Sequence, residues 1–165
     1  MAQSNPENID PALAKAIGRI PSGVYILSTR HAGRDEVMMA SWVQQAAFAP
    51  LSVSVAVHKD RPIRQTLLAA RRFALAVLPQ DDTSLMKKYA RGAPPGEEPF
   101  AGVETLTTPT GLRVPAGGIA WLEGELTHAC DFGGDHEIHV ARVTAGQVLR
   151  EGKSFMHLRG SGLHY

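Results

Sequence analysis

The segment 51–57, LSVSVAV, alternates strictly between two classes of side chain. One face of an extended chain would carry the larger apolar members, Leu51, Val53, Val55 and Val57. The other face would carry the small members, Ser52, Ser54 and Ala56. A period of two predicts a β-strand and excludes an amphipathic helix. A solvent-facing surface would normally carry larger polar groups, so we expect that something packs closely on the small face.

Several other segments are rich in β-branched and aromatic residues and are separated by polar or glycine-containing turns. They predict further strands at 23–30, 37–48, 73–79, 117–130, 135–149 and 154–158. Three short helices are predicted at 9–20, 58–72 and 81–91, with Asp10 and Asp60 as N-terminal caps of the first two. Strands with few helices between them favour a mainly β fold with a few α elements, a barrel or sandwich decorated by three short helices.

The length and composition of the chain bound its class. Its 165 residues correspond to one domain, 1–165, in which the polar residues 1–9 are expected to form a disordered N-terminal arm. A net charge of +1, from 17 basic and 16 acidic side chains, provides no global field for nucleic acid or a membrane surface. No apolar stretch has the length of a membrane span. A single cysteine and a polar start indicate a cytoplasmic protein.

The charged segment 58–64, HKDRPIR, follows the alternating strand where a helix is predicted to begin. Free backbone amides at the start of a helix, with Lys59, Arg61 and Arg64 close by, would form a local site for a phosphate group. A solvated, charged helix start explains the same spacing equally well. The residues alone leave both interpretations open.

The apolar segment 38–48, MMASWVQQAAF, is the second candidate binding element. Its small side chains and one indole would suit a flat aromatic ligand, although a strand with one buried face has the same pattern. The histidines do not suggest a metal site, because His136 and His139 are three apart in a predicted strand and would point to opposite faces. We therefore predict no metal site.

Taken in order, several motifs resemble the flavin reductase-like family, the FMN-binding split barrels, from Gly18 to Tyr165. The resemblance is carried by ASWVQQAAFAP, VAVHKDRPI, EPFAGVE, GGIAWLEGEL, GDHEIHVARV and the final HY. Within that family the chain is most similar to the flavin reductase-like domain at the C-terminus of cyanobacterial diflavin flavoproteins. The resemblance implies a split β-barrel with a Greek-key core, assembled as a homodimer.

The resemblance also implies the ligands and their positions. FMN, or alternatively FAD, would be the cofactor and NAD(P)H the co-substrate. Ala40, Ser41 and Trp42 would line the isoalloxazine ring, with Gln45, Ala46 and Ala47 approaching it. The phosphate would lie among His58, Lys59, Asp60, Arg61 and Arg64. His136 would orient the nicotinamide or deliver a proton, unless it is simply a hydrogen-bonded strand residue.

Three functions are therefore open at this point. The first is an NAD(P)H-dependent flavin reductase that moves hydride from nicotinamide to flavin N5, with an oxygenase or another redox protein as a further partner. The second is a carrier that holds FMN tightly and serves protein partners. The third is a split-barrel binding module for haem or a pyridoxal derivative. His157, Arg159 and Tyr165 are expected to reach the neighbouring subunit.

Overall fold

The computed structural model describes residues 9–90, 92 and 96–160. Within these ranges the helices are α1 (Pro11–Ile17), α2 (Ile63–Ala70) and α3 (Ser84–Tyr89). The strands are, in chain order, β1 (Ser22–Gly23), β2 (Tyr25–His31), β3 (Arg34–Ala40), β4 (Val43–Phe48), β5 (Leu51–His58), β6 (Arg72–Val77), β7 (Thr105–Thr107), β8 (Arg113–Pro115), β9 (Ala120–Cys130), β10 (His136–Val148) and β11 (Met156–His157). The predicted arm, apart from Ile9, lies outside the described residues, as does Tyr165.

Seven of these strands form one antiparallel sheet in the order β3-β2-β6-β9-β10-β5-β4. Its two edge strands, β3 and β4, are consecutive in the chain and are joined by Ser41 and Trp42 alone. Six inter-strand steps of about 4.8 Å would hold the edges of a flat sheet about 29 Å apart. Three Cα steps span at most about 11 Å. The sheet must therefore curl until its edges approach, which produces a barrel split between β3 and β4.

The predicted fold class is confirmed: the chain is mainly β, with the sheet topology of a Greek-key split barrel. The path from β5 to β6 supplies the long connection, because these strands occupy different parts of the sheet. Helix α2 lies in that connection and covers one end of the barrel core with Ile63 and Leu67. None of the helices in the described ranges has the length and apolar character needed to cross a membrane.

The interior of the barrel holds the large face of β5. Val53, Val55 and Val57 are buried and belong to one cluster with Ile63 and Leu67 of α2. The remaining buried members of this cluster are Leu27, Ala40, Val43, Phe73, Leu75 and Ala141. The predicted alternation of β5 is thus realised from Val53 onward, whereas at the start of the strand Leu51 is exposed and Ser52 is buried.

The helix starts agree with the sequence in one case and differ in another. Asp10 caps α1 as predicted, since its carboxylate accepts a 2.7 Å hydrogen bond from the amide of Ala12. The prediction that Asp60 caps the second helix is wrong. Pro62 occupies the cap position of α2, the described residues form no side-chain capping hydrogen bond there, and Asp60 lies two residues further out. The backbone turn through Arg61 and Pro62 separates the carboxylate from the helix.

Two details of the strands also differ from the sequence prediction. The single strand predicted over 37–48 is two strands, because residues on either side of Ser41 and Trp42 belong to opposite edges of the sheet. The small hairpin of β7 and β8 was not predicted. Strands of three residues are too short to display a period, although Val114 of β8 is fully buried.

Candidate functional site

The link between the two edges of the barrel is held tightly by its neighbours. Ser41 is buried, and the carbonyl of Trp42 accepts a 2.9 Å hydrogen bond from the amide of Ala56 on β5. The Trp42 indole remains 39% exposed. The link therefore displays a large aromatic surface at the split while its backbone is fixed to the sheet.

A groove of about 370 Å³ lies beside this link. Its floor includes the small face of β5, Ser54 and Ala56, together with Ile138 of the adjacent strand β10. The other lining residues are Ile17, Gly18, Ile20, Pro21, Ser22, Ser41, Trp42, Gln44 and Arg159. The small side chains of β5 thus leave open space beside the sheet, and the volume is in the range of small-molecule sites.

The C-terminal segment supplies the cation of this groove. The pairing of β11 with β1 brings Arg159 next to the link, where its guanidinium donates a 2.6 Å hydrogen bond to Ser41 Oγ. The guanidinium carbon lies 5.0 Å from the centre of the Trp42 ring, in the geometry of a cation–π contact. Arg159 thus contacts residues of its own chain, and the expectation that it also reaches the neighbouring subunit stays a prediction.

A smaller recess shares walls with the groove at Ser41 and Ala56. Its remaining lining residues are Met38, Met39, Ala40, His58, Arg61, Tyr89, Ala90 and Gly92. Ala40 is only 2% exposed and belongs to the core, so it offers backbone atoms to the recess. Among the described residues that line the recess, the cation is Arg61, which is exposed.

The three cations predicted to form the phosphate site are not equivalent. Lys59 pairs with Asp131 at 2.7 Å, and Arg64 pairs with the buried Glu137 at 2.5 Å. The hydrogen bond from Lys59 is the main cause that lowers the pKa of Asp131. Both cations are thus bound to acidic partners near the turn between β9 and β10. Arg61 alone of the three lines the recess.

Two histidine rings, those of His136 and His58, extend from Trp42 toward the recess. The centre of the His136 ring lies 4.5 Å from that of Trp42 and 5.0 Å from that of His58. His136 Nδ1 lies 2.8 Å from the carboxylate of Asp135, and this hydrogen bond is the main cause that lowers the pKa of Asp135. His58 Nδ1 accepts a 3.2 Å hydrogen bond from the amide of Asp60. The structure thus brings His136 and His58 together.

Other predicted site residues lie elsewhere. Gln45, Ala46 and Ala47 are exposed on the edge strand β4, where Gln45 pairs with Val53 and Ala47 with Ser52. The carboxylate side chain of Asp60 is almost fully exposed. His139 lies on the core side of β10, on the opposite face from His136, as their spacing predicts.

The sequence interpretation missed Gln44 and Ile138, which line the groove. Gln44 pairs directly with Ser54, and Ile138 pairs with Ala56, so both are cross-strand neighbours of the small face. The alternation of β5 is the signal that could have located them, once the strand register was known.

The site lies within a segment that matches a known family model. The model described as "Flavin reductase like domain" matches residues 17–162. The chain is 38% identical over 161 residues to diflavin flavoprotein A 1 of Synechocystis sp., which covers 96% of this chain and 28% of that protein. The chain therefore spans less than a third of the length of that relative.

Solved structures show the same fold. An NADH:FAD oxidoreductase of Streptomyces globisporus superimposes with a TM-score of 0.82 and 25% identity, covering 93% of each chain. The flavin reductase component BorF of a bacterial two-component tryptophan halogenase gives a TM-score of 0.79 at 24% identity, covering 92% of this chain and 93% of its own. The second likeness bears on the fold alone.

Proposed function

Because the chain belongs to the flavin reductase-like domain family, we propose that it is an NAD(P)H-dependent flavin reductase that binds FMN at the split of the barrel. The observation that carries this proposal is the junction of two unlike cavities at Ser41 and Ala56. One is an apolar groove beside an indole, and the other is a recess with an arginine. FMN has the same two parts, a flat ring system and a charged phosphate.

The ring fits the groove on chemical grounds. The exposed part of Trp42 offers an aromatic surface, and the small side chains of Ser54 and Ala56 leave room beside the sheet. Ser41 and the backbone of Ala40 would face its polar edge. These residues would orient the ring and exclude water from one of its sides.

The phosphate fits the recess. Arg61 would bind it directly, with His58 beside it. Lys59 and Arg64 already hold acidic partners, so their role would be to keep the turn between β9 and β10 close to the recess. This assigns the charge-assisted hydrogen bond to Arg61 and a weaker electrostatic contribution to the other two.

When bound, flavin supplies the capacity to accept two electrons from a reduced nicotinamide, and the protein supplies position. His136 would orient the nicotinamide or hold a proton. The carboxylate of Asp135 accepts from Nδ1 of His136, which places the lone pair of the neutral ring on Nε2. Trp42, packed against the same imidazole, limits its rotation.

An anaerobic assay tests this function. The purified protein, mixed with FMN and either NADH or NADPH, should bleach the flavin absorbance far faster than the same mixture without protein. The comparison of the two donors decides the nicotinamide, and replacing FMN with FAD decides the flavin. Absence of bleaching with every combination would refute the reductase.

A second candidate is a carrier that keeps FMN bound and passes electrons between proteins. One observation favours the carrier: in the Synechocystis relative, the matching domain is only 28% of a much longer protein. A carrier should purify yellow, retain its flavin on dialysis and turn over free flavin slowly. A reductase should lose its flavin on dialysis and turn over free flavin rapidly. It should also supply reduced flavin to an oxygenase or another redox partner.

We also propose a homodimer. The edge strand β4 has backbone groups along one side that pair with no strand among the described residues, and Phe48, its last residue, is 87% exposed. Leu51 and Trp42 add exposed apolar surface along the same edge. Light scattering during size-exclusion chromatography should give twice the chain mass. Phe48→Asp should give the mass of one chain, and Phe132→Asp, a change of a similarly exposed ring in the turn between β9 and β10, should not.

A further inference from the structure

The C-terminal segment returns to the barrel and places a positive charge at the split. Phe155 donates from its amide to the carbonyl of Leu78, and Met156 and His157 pair with Gly23 and Ser22. This backbone anchoring brings Arg159 to the groove. Arg159 is the sole charged residue among the described residues that line it.

The position of the guanidinium is defined by the two residues that form the link. Its hydrogen bond to Ser41 Oγ and its contact with the Trp42 ring hold it against the same surface to which the flavin ring is assigned. Arg159 is partly buried, and its apolar surroundings screen a charge less than bulk water does.

The charge of the ligand changes at this point during the proposed reaction. A hydride carries two electrons and one proton. Its transfer breaks a C–H bond of the reduced nicotinamide and forms an N–H bond on the oxidised flavin. The nicotinamide is left with one additional positive charge and the flavin ring with one negative charge. The phosphate of FMN keeps its own charge throughout.

We infer that Arg159 stabilises the negative charge of the reduced flavin ring and thereby favours the reduced cofactor over the oxidised one. The inference rests on the proposed function. Under this inference the two arginines differ in whether their contact with the cofactor depends on its redox state. Arg61 faces the phosphate, whose charge is the same in both states, whereas Arg159 faces the ring, whose charge appears on reduction.

The test is a measurement of Kd for oxidised and for reduced FMN under anaerobic conditions. Two neutral variants of different polarity, Arg159→Gln and Arg159→Met, should each raise the Kd of reduced FMN about tenfold more than that of oxidised FMN, as expected for loss of one partly solvated charge contact. Arg159→Lys, which keeps the charge, should recover most of this difference. Arg61→Ala should weaken both forms by the same factor.

Different failures give different results. Equal weakening of both forms in the neutral Arg159 variants would show that Arg159 only shapes the groove, and it would overturn the inference alone. Unchanged Kd values with a raised KM for the nicotinamide would overturn it as well, by assigning the cation to the co-substrate. Wild-type protein that binds neither form would overturn the proposed function and the inference with it. Thermal unfolding of each variant checks that it is folded.

Discussion

Strands β5 and β10 have two faces that serve different purposes. On one face Val53, Val55 and Val57 are buried against α2 and the barrel core. On the other face Ser54 and Ala56 line the groove. Along β5, residues of the core therefore alternate with residues of the candidate site.

This comparison shows how the fold positions the site. Burial of the valines fixes which way each side chain of β5 points, because a slip of one residue would exchange the faces. The same register places His136 opposite His58 and Ile138 opposite Ala56. Substitutions on the core face should therefore change the free energy of unfolding, and those on the groove face should change ligand affinity.

The largest effect is expected at the centre of the core face. Val55 is fully buried, so Val55→Ala should lower the free energy of unfolding by about 2 to 3 kcal/mol through lost burial and a residual cavity. Urea denaturation measures this loss. The affinity for FMN under native conditions should stay within a factor of about two. A large fall in affinity without a fall in stability would contradict the division between the faces.

The neighbouring residue should behave in the opposite way. Ala56→Leu would fill the junction of the groove and the recess, and we expect FMN affinity to fall by about 2 kcal/mol. The free energy of unfolding should change by less than about 0.5 kcal/mol. Ala69→Leu, on the exposed side of α2, is the control that adds the same bulk away from the site. Isothermal titration with FMN distinguishes them, and equal affinities would place the ligand elsewhere.

The cations that follow β5 differ in how far they are available to a ligand. Arg61→Ala should weaken FMN binding by about 1.5 kcal/mol through loss of a charge-assisted hydrogen bond. Lys59→Ala should cost less than about 0.7 kcal/mol, because Lys59 is already paired with Asp131. Titration of both variants at two salt concentrations tests the order. If Lys59→Ala proves the more damaging, Lys59 exchanges Asp131 for the phosphate on binding.

The smallest effect concerns His139, an exception on the core face. It is fully buried, with Nε2 3.7 Å from the Glu137 carboxylate, and burial is the main cause that lowers its pKa. Glu137 opposes this shift and Arg64 adds to it. Below about pH 6.5 the unfolded chain binds a proton at this residue that the folded chain does not. Stability should therefore be fully present above this pH and fall as the pH decreases toward the lower folded pKa.

Substitution isolates that contribution. Urea denaturation gives the free energy of unfolding at pH 7.5 and at pH 5.5. The decrease between these two pH values should be smaller for His139→Leu than for the wild type. His128→Gln, a change of an exposed histidine on β9, should leave the wild-type loss unchanged. A variant that loses as much stability as the wild type would show that His139 is protonated in the folded protein.

The strands and the family were accessible from the sequence because their signals are local or ordered along the chain. The alternation at 51–57 predicts β5, the Asp10 and Pro11 pair predicts the start of α1, and the motif order indicates the family. The division of 37–48 into two strands was not accessible. Ser41 and Trp42 carry no glycine or proline signal, and the break is caused by closure of the sheet.

The pairing of charges was also beyond the sequence. Lys59 and Asp131 are 72 positions apart, and Arg64 and Glu137 are 73 apart, so their contacts depend on the register between β5 and β10. A list of cations near a helix start therefore cannot show which of them is available to a ligand. The roles assigned to the individual site residues stay predictions until ligand binding is measured.

The filled interior of the barrel has a consequence for how a cofactor would enter and leave. Because the valines of β5 fill the lumen and α2 covers one end of it, the groove lies on the outer wall, beside a link of two residues whose span limits how far the split can widen. Exchange of one flavin molecule for another then requires no rearrangement of the core. The empty and loaded proteins should share one backbone, and the lifetime of the complex should be set by contacts at the surface rather than by opening of the scaffold.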